Sequence, residues 1–386
     1  MASEERIRAT YWLHCPPSDA SREAEELCLE QTVEVPGELV KEGWIRDHIV
    51  GRIERCRQYQ GFFEVEVSFS PDITACTLTG LLNVLYGNIS LKKGIYLSAL
   101  SLPGSFVSSF QGPRFGAHGV RDILGVHGRP LLAAPLKPMG KSPQELGALC
   151  YELACGGIDL IKDDHGITDQ SFSPFRERVK ECIAAVRRAE EATGRRVLYF
   201  PCVNSDFEDM ERHIRWAVRQ GVGGLLISPF ITGLAFMKYL AASRFAGVPL
   251  MAHPALTGSF FQGPGQGIDQ AVLLGTLMRL AGADLVIYPN FCGRFPFTGP
   301  QCLSINKALS EPLFGIKEAL PVPAGGMSLE NIPALRGFYG DEVVFLVGSS
   351  LFLRRASLRE NASYFLSLVK KEGEGSKELR PPLTKP

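Results

Sequence analysis

Residues 156–166 read Gly-Gly-Ile-Asp-Leu-Ile-Lys-Asp-Asp-His-Gly, so a short apolar run ends in Lys162, Asp163, Asp164 and His165. Four ionisable groups at one strand end are costly to desolvate and of little use to a core. Chemistry is therefore expected here, and the cluster reads three ways. It can be a structural ion-pair network. Lys162 can be a Schiff-base nucleophile activated by desolvation, although two adjacent aspartates favour its charged ammonium. Or neutral Lys162 can take up CO2, which turns a cation into a carbamate oxygen donor. In that third case strand alternation puts Lys162 and Asp164 on one face. Both could then address one Mg2+, a cation that prefers hard oxygen ligands.

Such a cluster needs a frame. From Gly128 onward, β-rich runs at 130–135, 158–162, 196–201, 224–228, 249–253, 285–289, 320–324 and 343–348 are mostly separated by helical stretches. That is the signature of an α/β fold of the (β/α)8 TIM-barrel type. A doubly wound open sheet is the alternative, disfavoured because no Gly-x-Gly-x-x-Gly opens a helix after a first strand. Ser142, ahead of Pro143, reads as the N-cap of a helix over 143–155, and Ser328 as the N-cap of one over 329–338. Ahead of the barrel, 6–15, 52–59, 62–69 and 95–102 read as strands, and 19–31 and 78–86 as helices. The order β-α-β-β-α-β predicts a ferredoxin-like α+β domain. The expected layout is an N-terminal ferredoxin-like domain over 1–125, a C-terminal barrel over 126–370 and a charged tail over 371–386.

Barrel sites are built at the C-terminal ends of strands. Lys137 follows the first strand, Lys162 to His165 close the second, and His253 ends the fifth. Gly325-Gly326 follow the seventh and Gly348-Ser349 the eighth. Singly, Lys137 reads as a surface lysine, His253 as a hydrogen-bonded core histidine, and the glycines as tight turns. Their common placement at strand ends favours one site. Loops after the last two strands often bind phosphate through backbone N–H groups, and glycine lets an anion come close. A phosphorylated substrate is therefore expected.

Composition narrows the remaining classes. Lys+Arg 41 balances Asp+Glu 41, so bulk charge makes no case for a nucleic-acid or membrane partner. No apolar run approaches the ~20 residues of a membrane span. The opening Met-Ala-Ser-Glu-Glu-Arg has no signal-peptide core, so a cytoplasmic location is expected. The 10 cysteines contain no Cys-x-x-Cys, which predicts reduced, mostly buried thiols rather than a zinc site.

These residues resemble the RuBisCO large-subunit superfamily over nearly the whole chain. Gly87-Asn88, Phe110-Gln111-Gly112-Pro113, Gly128-Arg129-Pro130-Leu131-Leu132, Lys137-Pro138, Gly156-Gly157, Lys162-Asp163-Asp164, His253, Pro323-Ala324-Gly325-Gly326 and Gly348 stand in the family's order. The resemblance implies a homodimer or higher homo-oligomer with shared sites, to which Glu30 and Asn88 of one subunit contribute across the interface. It implies Mg2+ held by Asp164 and a carbamate on Lys162, with Lys137 as proton shuttle and His253 in the site. Arg294 aligns with the family's mobile-loop lysine, beside a phosphate cradle of Gly325, Gly326, Gly348 and Ser349. The chain departs from the carboxylase at several places. Met139 replaces a lysine, Pro254 an arginine, Ile287 a histidine and Ala324 a serine, so the second phosphate site is apolar. His165 stands where the pattern has a glutamate ligand; imidazole removes one negative charge and favours borderline metals.

The chain is thus similar to the RuBisCO-like (type IV) members, and ribulose bisphosphate carboxylation is not expected. What the resemblance implies is metal-assisted enolisation of a monophosphorylated keto sugar, with 5-methylthioribulose 1-phosphate isomerisation preferred. Alternatives are a diketo-methylthiopentyl-phosphate enolase, whose branch carries lysine in place of Asn88, and a decarboxylase or transcarboxylase acting on 3-oxo-isoapionate 4-phosphate. A non-enzymatic regulatory binding protein is the remaining class.

Overall fold

The computed structural model describes residues 5–353 and 356–370; the expected tail at 371–386 lies outside them. Its N-terminal sheet is built from β1 (Ile7–Leu13), β2 (Arg52–Tyr59), β3 (Phe62–Phe69) and β4 (Ile95–Ser101), in the order β4-β1-β3-β2. All three of these pairings are antiparallel. Helices Ala20–Glu30 and Leu78–Tyr86 supply the two crossovers, as the β-α-β-β-α-β reading requires. Period-two patterning fixes the register. Phe63, Val65, Val67 and Phe69 point into the core, and burying each such side chain is worth ~1.5–3 kcal/mol. Glu64 and Glu66 point outward, where they pair with Arg55 and Arg8.

The second sheet is parallel. Its strands are β5 (Leu131–Leu136), β6 (Leu160–Asp163), β7 (Leu198–Phe200), β8 (Leu225–Ile227), β9 (Leu250–Ala252), β11 (Leu285–Pro289), β12 (Leu320–Ala324) and β13 (Val344–Leu346). A parallel bridge between Cys202 and Leu226 joins the β7 and β8 sides. That closure turns the sheet into a barrel and rules out the open doubly wound alternative. Alternate strand residues such as Leu131, Ala133, Leu160, Phe200, Met251, Ile287 and Val322 fill the interior, giving a packed core rather than a pore. Helix Gly116–Leu124 sends Ala117, Val120 and Leu124 into the same cluster, so barrel packing begins ahead of residue 126. The two-residue strand β10 (Gly267–Ile268) leaves the barrel half and pairs parallel with β4.

Local signals explain the helix ends. Ser142 and Glu145 form a reciprocal capping box for Pro143–Gly156, and Gly157 ends that helix in the left-handed region at φ 101°. The expected cap at Ser328 is corrected: the helix is Ile332–Tyr339, and Asn331 is its N-cap residue. Ser328 instead donates its N–H to Asn331 Oδ1 at 2.8 Å, because residues 328–331 form a turn ahead of a first helical turn that carries Pro333 at its second position. All ten cysteines are free; five are buried, while Cys56 and Cys292 are exposed. Among the described residues no helix is long and apolar enough to cross a membrane.

Candidate active site

At the C-terminal end of β6 the chain alternates direction. Lys162 is buried, and its Nζ donates to the Asp163 carbonyl at 2.9 Å. Burial pushes its ammonium down to about 8, against the carboxylate of Asp164, which holds it up. Asp164 Oδ1 lies 3.5 Å from Lys137 Nζ and 3.4 Å from His165 Nδ1. Burial pushes the Asp164 carboxyl up, but the His165 bond and the charges of Lys162 and Lys137 outweigh it and hold the group well below the usual range. The His165 ring stacks on His253, with centroids 4.0 Å apart and planes 13° apart. His253 Nδ1 accepts from the Ala255 N–H at 3.1 Å, which leaves the proton on Nε2. Burial, and then the charges of Lys162 and His165, hold its pKa well below the ordinary histidine value. Lys137, Lys162, Asp164, His165 and His253 therefore meet at one mouth.

Asp163 does not join them, which corrects the reading of four ionisable groups as one chemical cluster. It faces the opposite side of β6, fully buried, and accepts from Arg178 Nε at 3.0 Å, Tyr199 Oη at 2.7 Å and the Cys202 N–H at 3.0 Å. Arg178 also donates to the Ser173 carbonyl at 2.7 Å and to that of Thr168. The pair is thus a clamp between the strand end and the loop that follows it. The argument against a Schiff base keeps only one aspartate, Asp164.

Across the mouth, the loops after β11, β12 and β13 are tied together by side chains that sequence reasoning missed. Buried Asn290 accepts from Tyr339 Oη at 2.7 Å and directs its amide to the Gly325 carbonyl at 3.4 Å. Asn331 donates to the Gly326 carbonyl at 2.6 Å, and Ser350 donates to that of Met327. Gly326 sits at φ 68°, and a Cβ there would fall 2.0 Å from the Cys292 carbonyl oxygen. Gly325, Gly326 and Ser349 are exposed and Gly348 is partly so. The N–H groups of Gly326, Gly348 and Ser349 make no hydrogen bond among the described residues. Among the described residues Arg294 makes no hydrogen bond to this cradle; its guanidinium lies over the Phe295 ring, 5.0 Å from the centroid.

Glu30 and Asn88 are brought together on the N-terminal domain, Asn88 Nδ2 donating to Glu30 Oε1 at 3.0 Å. Neither bonds to a barrel-mouth residue of its own chain among the described residues. Buried Gln31, which the sequence reading passed over, sets their spacing. Its amide donates to the Asn83 and Val84 carbonyls, and its oxygen accepts from the Ile89 N–H at 3.0 Å. Its position beside Glu30 was the one available signal.

Residues 116–292 match the family described as ribulose bisphosphate carboxylase large chain, catalytic domain. The chain is 39% identical to a ribulose bisphosphate carboxylase-like protein 1 of Rhodopseudomonas palustris, over 97% of this chain and 100% of that one. It belongs to the RuBisCO large-chain family, on the RuBisCO-like branch. A second relative is the 5-methylthioribulose-1-phosphate isomerase of Rhodospirillum rubrum, 34% identical over 95% of this chain and 96% of that one. The crystal structure of a Rubisco-like protein from Rhodopseudomonas palustris superposes with a TM-score of 0.86 at 37% identity, covering 97% of this chain and 100% of that one.

Of the residues gathered at this mouth, Asp164 and His165 carry the donor types a divalent cation takes. One carboxylate and one imidazole face the same space, and Lys162 has a lowered affinity for its proton. Among the described residues no three His, Cys, Asp or Glu side chains form a ready metal site.

Proposed function

We propose that this RuBisCO-like chain enolises a monophosphorylated keto sugar, and that its reaction is the isomerisation of 5-methylthioribulose 1-phosphate. The observation that carries this is the pairing of two unlike surfaces at one barrel mouth. Lys137, Lys162, Asp164, His165 and His253 gather on one side, and the unbonded N–H groups of Gly326, Gly348 and Ser349 line the other. A single cradle suits a single phosphate. Ile287 is buried in the barrel interior, with Ala324 packed against the same cluster and Pro254 half-buried on the loop after β9. These apolar positions disfavour a second phosphate, which would have to be desolvated without partners, and suit a methylthio end. The named activity of the Rhodospirillum rubrum relative supports the same choice.

Asp164, His165 and a carbamate on Lys162 would hold a divalent ion, Mg2+ in the family's usual form. That ion would polarise the substrate carbonyl and acidify the neighbouring C–H. A carbamate forms from neutral lysine and CO2 with loss of a proton, so the lowered Lys162 pKa favours it. Lys137, 39% exposed on its side chain and leaning on Asp164, is placed to carry a proton on Nζ to and from the substrate carbon. His253 offers an Nε2–H to a substrate oxygen, since Ala255 occupies Nδ1. Met139 reaches the turn at Gly166, where a Cβ would come within 2.6 Å of its Cε, and would offer an apolar group beside the site. The Glu30–Asn88 pair completes the mouth of a second subunit, so the working unit is a homodimer or a larger assembly of dimers. The site draws on no nucleic acid or membrane, and a cytoplasmic location suits a free sugar phosphate.

Proton NMR in D2O tests this. With Mg2+ and bicarbonate, 5-methylthioribulose 1-phosphate should take up deuterium beside its carbonyl and convert to the isomeric ketose. Lys162→Ala should fold and lose at least about a hundredfold in rate. Absence of both exchange and conversion in the wild-type protein would sink the enzymatic reading. Release of CO2 from 3-oxo-isoapionate 4-phosphate would replace it with the decarboxylase.

A further inference from the structure

In the loop after β12 every carbonyl from Ala324 to Met327 is tied to a donor elsewhere in the chain. The Ala324 carbonyl takes the Asn290 N–H at 2.9 Å, and the Gly325 carbonyl faces the Asn290 side-chain amide at 3.4 Å. The Gly326 carbonyl accepts from Asn331 at 2.6 Å, and that of Met327 from Ser350. Within one trans peptide unit the C=O and the following N–H point in opposite directions. Asn290 is fully buried, whereas Gly325 and Gly326 are exposed. Holding the Gly325 carbonyl inward therefore turns the Gly326 N–H outward. Asn331 fixes the next unit, whose Met327 N–H also makes no hydrogen bond among the described residues. A run of backbone with its carbonyls tied back and its N–H groups left over is a surface for an anion.

We infer that Asn290 and Tyr339 are positioning residues that set the affinity of this cradle for a phosphate monoester without touching it. The inference rests on the phosphate cradle of the proposed function and adds what aims it. A side-chain amide has a donor end and an acceptor end. Turned round, Asn290 would set its Oδ1 against the Gly325 carbonyl oxygen, and that peptide would be pushed out of its present plane. Tyr339 selects the working orientation, because its hydroxyl donates to Oδ1 at 2.7 Å and so leaves Nδ2 for Gly325. The Tyr339 ring is itself held among Phe291, Phe338 and Phe345, with centroids 6.2, 4.8 and 6.3 Å away. The relay thus starts at the last residue of helix Ile332–Tyr339, passes the end of β11 and returns to the loop after β12. Tyr339 is only 9% exposed and Asn290 not at all, so each acts through Gly325 rather than on the ligand.

Inorganic phosphate is the probe, titrated calorimetrically into the wild type, Tyr339→Phe, Asn290→Ala and the double variant. Its Kd should rise about fivefold in Tyr339→Phe, the worth of one hydrogen bond, and at least as much in Asn290→Ala. The double variant should bind no more weakly than Asn290→Ala alone, because the hydroxyl works only through the amide. For the phosphorylated ketose, Tyr339→Phe should raise KM by the same factor and leave kcat within about twofold. Tyr339→Phe keeps the ring and its aromatic neighbours, so it should fold. Tyr11→Phe loses a buried hydroxyl bond to the Leu85 carbonyl, 2.8 Å long, in the N-terminal domain. It controls for lost stability and should bind phosphate as the wild type does. An unchanged Kd in Tyr339→Phe, or effects that add in the double variant, overturns the inference and leaves the cradle standing. If inorganic phosphate does not bind the wild type, the cradle of the proposed function falls, and this inference with it.

Discussion

At the N-terminal rim of the barrel, Asp159 accepts two bonds from Arg129, at 2.9 and 2.7 Å, and one from the Leu132 N–H at 2.8 Å. Asp284 there takes the N–H groups of Phe115, Gly116 and Leu250 at 2.7, 2.7 and 2.9 Å. At the opposite end Asp164 has His165 Nδ1 at 3.4 Å and Lys137 Nζ at 3.5 Å, and no backbone donor among the described residues. The difference separates two jobs for one residue type. A carboxylate whose lone pairs are filled by the protein holds strands together. One with lone pairs to spare can hold something from outside. Asp163 shows that bonding, rather than position, decides the matter, since it stands beside Asp164 and is saturated like the rim carboxylates.

Removing the cation from the saturated carboxylate at the mouth gives the largest expected effect. Arg178→Met leaves the Asp163 carboxyl buried without its cation, and should cost about 3–5 kcal/mol in urea unfolding; a loss under 1 kcal/mol would place Asp163 with Asp164 instead. Next comes Lys162 itself, without metal or CO2. Its folded value of about 8 lies below the ordinary lysine value of ~10.4, so between the two the unfolded chain holds the extra proton. Stability should therefore rise with pH across that window, by up to roughly 3 kcal/mol. It should be flat below the window, and the slope should vanish in Lys162→Met. At the rim, Arg129→Met should cost about 2 kcal/mol, because Asp159 keeps its Leu132 bond. The kcat and KM of the folded variant should not move; a changed KM would break the division of labour between the two ends. Smallest is Gly326→Ala, which has to shift the Cys292–Gly293 backbone away from a new Cβ. It should raise KM for the phosphorylated substrate about tenfold, ~1.4 kcal/mol, with a smaller change in kcat.

Much of this was legible in the chain. Alternation at Phe63 to Phe69 gave a strand and its inner face, and eight β-rich runs gave the barrel. The placement of Lys137, Lys162, His253 and the paired glycines at strand ends gave the mouth. Strand alternation also gave the common face of Lys162 and Asp164, but the same rule was not carried through to Asp163. Its partners, Arg178 and Tyr199, stand 15 and 36 residues away, and nothing local announces them. The Glu30–Asn88 bond spans 58 positions and is set by Gln31, a residue with no motif of its own. At Ser328 the local signal misled, because two polar residues three apart can each open a helix and only the turn geometry picks Asn331.

Strand β10 joins the loop that begins at His253 to the N-terminal sheet. The Gly267 N–H meets Tyr86 Oη at 2.9 Å, Gln266 donates to the Ser90 carbonyl at 3.0 Å, and the Asp269 N–H meets the Leu97 carbonyl at 2.8 Å. The fifth-strand loop is therefore indexed to a sheet encoded far earlier in the chain: Tyr96 Oη and Asp269 Oδ2 meet across a separation of 173 residues. A barrel expressed alone would lose the edge against which that loop is laid. For recombination, whether by nature or by an engineer, the two halves are one inheritable part: exchanging the front of the gene would retune a loop at the back.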